Sequence, residues 1–288
     1  MNDQIRCFVC QGSLSLFGPC RDYTYYRCRH CKTLQLWPMP GEVEMLKAYA
    51  TGYDAGEQHP EYHDPEWWRR VSRTYQDAMV RTLKDHGVAG PVLDCGAGWG
   101  VFVERYAAEG FAARGVEPSH GQAAFARRRG LDVQQGTLGS LQGCDGQMSA
   151  ITMFAVFEHL TNHAAVVADT HRLLQNGGLL ITGHPTAACY HIAGNVLRLG
   201  NKQRQLPWLD AAFEAPWHTA LLSVAATTQL ISRQGFRLLE IRPVPQGRRG
   251  GLIGAVQIGL EVVNRIGWKL AGTRWPLVTT HIFVFQRV

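Results

Sequence analysis

Val92-Leu93-Asp94-Cys95-Gly96-Ala97-Gly98-Trp99-Gly100 is the stretch that decides the fold: two apolar residues, an acid, then three glycines at alternate positions. The apolar start reads as a short strand, and residues 101–109 beyond the glycines carry helical patterning. Glycine permits positive φ and lets backbone approach a ligand where a side chain would clash. Working outward, 112–116 and 131–133 read as further strands and 120–129 as a second helix. Short apolar runs alternating with helices are the rhythm of a parallel sheet covered on both faces. The expected fold class is therefore α/β, a doubly wound Rossmann-like sheet whose ligand sits beyond the carboxyl ends of the strands.

Glu117 closes the second strand, twenty-one residues after Gly96, where a carboxylate accepts hydrogen bonds from ribose hydroxyls. The glycines are spaced G-x-G-x-G instead of G-x-G-x-x-G, with Asp94 just ahead of them. A pyrophosphate wants helix N–H groups without a neighbouring acid, whereas the cationic methionine end of S-adenosyl-L-methionine gains from one. A methyl donor is the expected cofactor, held by Asp94, Gly96, Ala97, Gly98, Gly100 and Glu117.

These residues resemble the class I S-adenosylmethionine-dependent methyltransferases. Residues 92–100 look like that family's first motif, and Gly115-Val116-Glu117-Pro118-Ser119 like its ribose-binding second strand. Phe154-Ala155-Val156-Phe157-Glu158-His159-Leu160 looks like the segment after its fourth strand, and 173–181 like the turn into its fifth. The resemblance spans most of 90–240 and implies a seven-stranded methyltransferase sheet whose last strand, 279–287, runs antiparallel. It also implies that Pro118, Thr137 and Phe154 belong to the cofactor site. Thr137 stands where the family usually has an acid beside the adenine, and Met148-Ser149 where it often has Phe-Asp.

Near the N-terminus, Cys7-Phe8-Val9-Cys10 and Cys28-Arg29-His30-Cys31 are seventeen residues apart. Paired Cys-x-x-Cys loops at that spacing supply four thiolates to one tetrahedral Zn²⁺. Residues 1–40 are expected to form a small zinc ribbon ligated by Cys7, Cys10, Cys28 and Cys31, with structural metal supplying much of its folding free energy. Cys20 and His30 are the substitutes if one ligand is misassigned. Eight cysteines with no apolar leader in the first thirty residues fit reduced thiols or metal ligands better than disulfides, so a cytoplasmic location is expected. The whole chain then resembles bacterial methyltransferases carrying an N-terminal zinc segment, some of which act on nucleotide-linked sugars, polysaccharides or natural products.

Trp37-Pro38-Met39-Pro40-Gly41 marks a boundary near residue 40, and 41–90 reads as a helical linker and cap. There Asp64-Pro65-Glu66 predicts a helix start, with Trp68, Val71, Tyr75 and Met79 carrying one helix to about Gly87. Tyr49 and Tyr53 lie in a loop that either folds over a ligand or packs. The methyltransferase domain occupies 91–288, with 185–217 and 243–275 as substrate-side insertions, the first read as a long loop ahead of a helix at 223–234.

Methyl transfer needs a base only where the acceptor is not already nucleophilic, and histidine titrates in the right range. His218, within Glu214-Ala215-Pro216-Trp217-His218, resembles the base position of sugar C-methyltransferases. His159 follows Glu158, and in some relatives an equivalent Glu-His pair helps hold a divalent ion or orient the substrate; the other reading is a helix-start residue supporting the cofactor loop. The catalytic candidates are His218, His159 and Glu158. Glu261, Arg265 and Lys269 form a salt-bridged stripe on an apolar helix over 252–270 that packs on the sheet, docks on a membrane surface or forms a dimer. A net charge of +6, with clusters at Arg127-Arg128-Arg129 and Arg248-Arg249, suits an anionic partner without demanding one. The expected acceptor is a sugar nucleotide, glycan or secondary metabolite; the alternatives are an RNA-modifying enzyme gripping nucleic acid with the ribbon, or a non-catalytic assembly module.

Overall fold

The computed structural model describes residues 5–55, 64–205, 210, 213–244 and 251–288, with the side chains of 49–55 and 251–258 left outside that description. In chain order the elements are β1 (Leu14–Cys20), β2 (Tyr23–Cys28), β3 (Leu34–Trp37), α1 (Glu42–Ala55), α2 (Pro65–Val71) and α3 (Arg73–Asp85). There follow β4 (Val92–Cys95), α4 (Val101–Ala108), β5 (Ala113–Glu117), α5 (His120–Arg128), β6 (Val133–Gln135), β7 (Met148–Phe154), α6 (His163–Leu173) and β8 (Leu174–Pro185). The chain ends with α7 (Ala187–Leu197), β9 (Ala220–Leu221), α8 (Val224–Ser232), β10 (Phe236–Pro243), α9 (Gly251–Ala271) and β11 (Thr280–Arg287).

The seven-stranded sheet has the order β10-β11-β8-β7-β4-β5-β6. β11 runs antiparallel to both neighbours, and the β8-β7-β4-β5-β6 ladder is parallel. Central strands covered by helices on both faces must be apolar throughout: Ile151, Leu180, Ile181, Phe283 and Phe285 are fully buried. The turn expected within 173–181 is an irregularity inside β8, for Met148 pairs with Leu174 while Ala150 pairs with Leu179.

A second sheet has the order β1-β2-β3-β9, and it changes the status of the N-terminal segment. β3 pairs with β9, Leu34 opposite Leu221 and Gln35 opposite Ala220, and the Leu36 amide donates to Thr219 O at 2.9 Å. Phe17, Tyr25, Leu34 and Leu36 share one apolar cluster with Phe213 and Leu221. The change near residue 40 is a boundary along the chain but not in packing.

Three local expectations differ from the structure. The helix expected over 64–87 is two, broken at Ser72, whose Oγ donates to Trp68 O at 2.6 Å in the competition with the backbone that serine offers. Its start is capped by Asp64, which accepts from the Glu66 amide. The segment holding Tyr49 and Tyr53 is helical in α1 instead of a loop, and their side chains, like Arg248 and Arg249, lie outside the described residues. The stretch 185–217 contains α7. On α9 the Glu261–Arg265 pair forms at 2.8 Å, yet Val262, Val263, Ile266 and Leu270 are exposed. Gly267 packs on Trp275 just past the helix's own end, where a Cβ would lie 2.1 Å away, and Trp268 faces His281 of β11; neither contact covers these four side chains.

Ser223 ties α8 to the cysteine-bearing segment: its Oγ accepts from the Ala226 amide at 3.0 Å and donates to Cys31 O at 2.5 Å. Ser223→Ala removes a helix cap and this tie together, and is expected to lower stability by about 1–2 kcal/mol, read as a lower urea midpoint.

Candidate active site

β4 lies between β5 and β7. The chain steps from β4 to β5 and β6, then returns to β4's other side with β7, and such a reversal opens a crevice at the carboxyl ends of the strands. The glycine turn enters this crevice with φ of 73° at Gly96, 53° at Gly98 and 79° at Gly100, conformations that side-chain-bearing residues rarely hold. A Cβ on Gly96 would lie 2.4 Å from Val156 Cγ2, so glycine is what lets the ends of β4 and β7 approach. Gly100 serves packing: a Cβ there would meet Leu131 at 2.6 Å and Ala126 at 3.0 Å.

A cavity of about 380 Å³ occupies the crevice, within the range of small-ligand sites. Gly96, Ala97, Gly98, Glu117, Pro118, Thr137 and Phe154 line it. Glu117 is buried, with Oε2 accepting from the Gly98 amide and Oε1 from the Ser119 amide, each at 2.8 Å. Each carboxylate oxygen thus retains acceptor capacity for a hydroxyl. Burial raises its pKa to about 7 against those two amides. The fit to a ribose is good: an anchored acceptor pair, a glycine floor and a lined cavity.

Asp94 is placed differently from expectation. It is 2% exposed, it accepts from Thr152 Oγ1 at 2.6 Å, and the cavity is lined from Cys95 onward. It braces β4 against β7 beneath the floor. Near Thr137, Asp169 of α6 also lines the cavity, 3.1 Å from where a Gly139 Cβ would stand, so an acid does reach that end from a later element.

At the other end stand Glu158, His159 and His218, whose potential ligand atoms all lie within 4.8 Å of one another. Glu158 and His159 sit on a single 3₁₀ turn, Phe157–His159, following β7. The two imidazoles meet edge to face with centroids 4.8 Å apart. His159 Nδ1 donates to Trp217 O at 2.9 Å, a carbonyl being able only to accept. Burial lowers the His159 pKa to about 4 and raises that of Glu158 to about 8. Two residues flanking this end hold positive φ without being glycine, Ala155 at 53° and Glu214 at 47°, the kind of backbone strain that concentrates at functional sites.

His218 is held by the N-terminal segment. Tyr25 of β2 donates its hydroxyl to His218 O, and Arg21 donates to Ala215 O at 3.3 Å. Thr219 Oγ1 donates to Leu160 O at 2.6 Å, closing the loop onto the turn that bears His159. Farther out, Cys7, Cys10, Cys28 and Cys31 bring their sulfurs within 4.8 Å of one another, with Cys7–Cys31 and Cys10–Cys28 separations of 3.5 Å, far beyond a disulfide bond. Cys20 lies apart, against Asp210 O, and the His30 side chain is exposed.

Several lining residues were read from the sequence as packing or not singled out: Trp68 of α2, Met45 and Leu46 of α1, Trp99, Trp217 and Asp169. The Trp68 stripe looks like any amphipathic helix until α2 is known to lie across the crevice. Nothing in local spacing signals that.

A family profile described as a methyltransferase domain matches residues 67–241. A probable S-adenosylmethionine-dependent methyltransferase of Mycolicibacterium smegmatis is 26% identical over 209 residues, covering 69% of this chain and 73% of that protein. A ubiquinone biosynthesis O-methyltransferase of Pseudomonas aeruginosa is 28% identical over 146 residues, covering 44% of this chain and 63% of its own length. Among solved structures, a cyclopropane synthase of Mycobacterium tuberculosis superposes with a TM-score of 0.55 at 17% identity, covering 87% of this chain and all (100%) of that one. A geranyl diphosphate C-methyltransferase of Streptomyces coelicolor gives 0.54 at 16% identity, covering 86% and 100%. Both structures share the fold.

Burial lifts the Asp94 pKa from 3.8 to about 7. Across that window the folded chain keeps a proton that the unfolded chain has lost, so this group makes stability fall as pH rises and its penalty is complete above about pH 7. Asp94→Asn, which preserves an acceptor for Thr152, is expected to flatten the decline of unfolding free energy across the window in urea titrations at successive pH values. An unaltered slope contradicts the assignment.

Proposed function

The chain belongs to the methyltransferase-domain family and takes its methyl group from S-adenosylmethionine, and on that premise we propose that its acceptor is a small molecule, a sugar nucleotide, glycan or secondary metabolite. The observation that carries this reading is the shape of the site. One cavity runs from Glu117 and the glycine floor to Glu158, His159 and His218, with Trp68, Trp99 and Trp217 among its lining. Aromatic rings around a cavity of this size suit a small acceptor that is enclosed, with water kept from the sulfonium.

The bound methyl donor supplies an electrophilic carbon on a cationic sulfur. Glu117 would hold its ribose and the turn at Gly96 and Gly98 would hold the rest of the donor. Alignment of nucleophile and methyl carbon is the main contribution. His218 is the proposed base, its backbone fixed by Tyr25; His159, with Nδ1 committed to Trp217 O, presents Nε2 to the same space.

The four thiols are proposed to hold a structural Zn²⁺. Zn–S bonds of about 2.3 Å give a tetrahedral S–S edge of about 3.8 Å, close to the 3.5 Å separations of the two cysteine pairs. Thr33 Oγ1, 3.2 Å from Cys31 Sγ, adds a hydrogen bond outside the ligand shell. One Zn²⁺ per chain is expected by elemental analysis, absent in Cys28→Ser.

Two measurements test the catalytic reading. Glu117→Gln leaves one backbone amide facing an NH₂ group and removes the charge; loss of a hydrogen bond to a charged group costs about 1.5–3 kcal/mol, so S-adenosylhomocysteine is expected to bind roughly 10- to 100-fold more weakly by calorimetry. Label from methyl-labelled S-adenosylmethionine, followed into small molecules, lipids, RNA and protein of a cell extract, is expected in the small-molecule or glycan fraction, and a His218→Ala chain should transfer it about 10²- to 10⁴-fold more slowly. Label confined to RNA contradicts the proposed acceptor class.

A further inference from the structure

We propose that the outward face of α9 is a docking surface for an anionic lipid membrane, on which the chain rests without crossing it. Docking of this kind does not depend on which acceptor the cavity takes.

α9 has two unlike faces. At 3.6 residues per turn, Glu261, Asn264 and Trp268 fall on one side and are engaged by the protein. Asn264 Oδ1 accepts from Trp275 Nε1 at 2.9 Å, Trp268 meets His281 of β11 with ring centroids 5.5 Å apart, and Glu261 pairs with Arg265. The opposite side carries Val262, Val263, Ile266 and Leu270, with Leu260 at its margin, and these five side chains are 45–83% exposed. A contiguous apolar row turned away from the core marks a surface that meets a partner.

The charges around the row say which partner. Along 244–278 the sequence has Arg248, Arg249, Arg265, Lys269 and Arg274 against the single acid Glu261, so most of the chain's net charge of +6 falls in this one excursion between β10 and β11. Lys269 and then Arg265 follow the apolar row along one edge, both exposed, and Arg274 stands exposed in the turn after the helix. Apolar side chains entering the acyl boundary beside cations at headgroup level are how amphipathic helices lie on anionic membranes, and each cation near such a surface strengthens binding about fivefold. A second copy of the chain fits less well. Pairing two such rows sets like charges along the rim of an interface, and a stable dimer engages roughly 20–30 residues a side.

Among the described residues no helix is long and apolar enough to cross a membrane; the charges of α9 keep it on the surface. The helix is also placed to matter for the crevice. Thr280, where β11 begins, pairs with Pro185 at the carboxyl end of β8, and Trp268 packs on the next residue, His281. Docking therefore holds the crevice edge of the sheet near the lipid.

The test is sedimentation of the full chain with vesicles of phosphatidylcholine alone and of phosphatidylcholine mixed with phosphatidylglycerol. Binding to the mixed vesicles is expected, at least tenfold weaker to phosphatidylcholine alone and weakened by added salt. Ile266→Asn with Leu270→Asn, and separately Arg265→Gln with Lys269→Gln, are each expected to lose at least tenfold in affinity. All four side chains are exposed, and a cooperative thermal transition verifies that each variant is folded. No binding of the unmodified chain to the mixed vesicles overturns the proposal, whether the chain is then a monomer or a dimer through α9 by sedimentation velocity. Equal binding to both kinds of vesicle overturns it as well, as does binding that the Ile266→Asn, Leu270→Asn chain retains unchanged.

Discussion

The pairing of β3 with β9, two residues against two, is the contact on which the acceptor end of this molecule depends. Through it the N-terminal sheet continues into the segment just after His218, and Tyr25 and Leu36 bond the carbonyls of His218 and Thr219. A two-residue strand has little stability of its own. What holds it is the shared cluster of Phe17, Tyr25, Leu34, Phe213 and Leu221, apolar surface that neither part could bury alone. The cysteine-bearing segment thus backs the His218 loop from outside the cavity lining, and its folding and the placement of His218 are one event.

The donor end is governed by the close approach of two strand ends, which Gly96 allows because no Cβ meets Val156. Buried acids sit on both levels of that crevice. Glu117 faces the cavity with an amide on each oxygen, while Asp94 lies below the floor and braces β4 against β7 through Thr152. One acid is arranged to accept from a ligand and the other from the protein, although both are buried and both are raised by that burial.

Much of this was legible in the sequence because it is encoded locally. The glycine turn, Glu117, the alternating strands and helices of 92–135 and the cysteine spacing all depend on residues near one another in the chain, whereas the antiparallel last strand, which pairs with the distant β8, came only from the family resemblance. The parts that were not legible depend on long-range packing. β9 is too short to show periodicity. The direction in which Asp94 points is decided by Thr152, fifty-eight residues away. Trp68 reads as a packing stripe until α2 is laid over the cavity, and Asp169 reaches the Thr137 end only because α6 returns there. On α9 the apolar pattern left sheet packing, membrane docking and dimer formation open; Val262, Ile266 and Leu270 are exposed, while Trp268 meets His281 of β11. Apolar periodicity identifies a helix without saying which of its faces meets the sheet.

The central claim is that the four-cysteine segment and the His218 segment fold as one unit. Hydrogen–deuterium exchange of Cys28→Ser beside the unmodified chain tests it most directly, because it needs neither acceptor nor cofactor. The account predicts faster exchange over 213–222 together with 34–36, while the β4 amides at 92–95 keep their protection. Faster exchange confined to 5–37, with 213–222 unchanged, would contradict it.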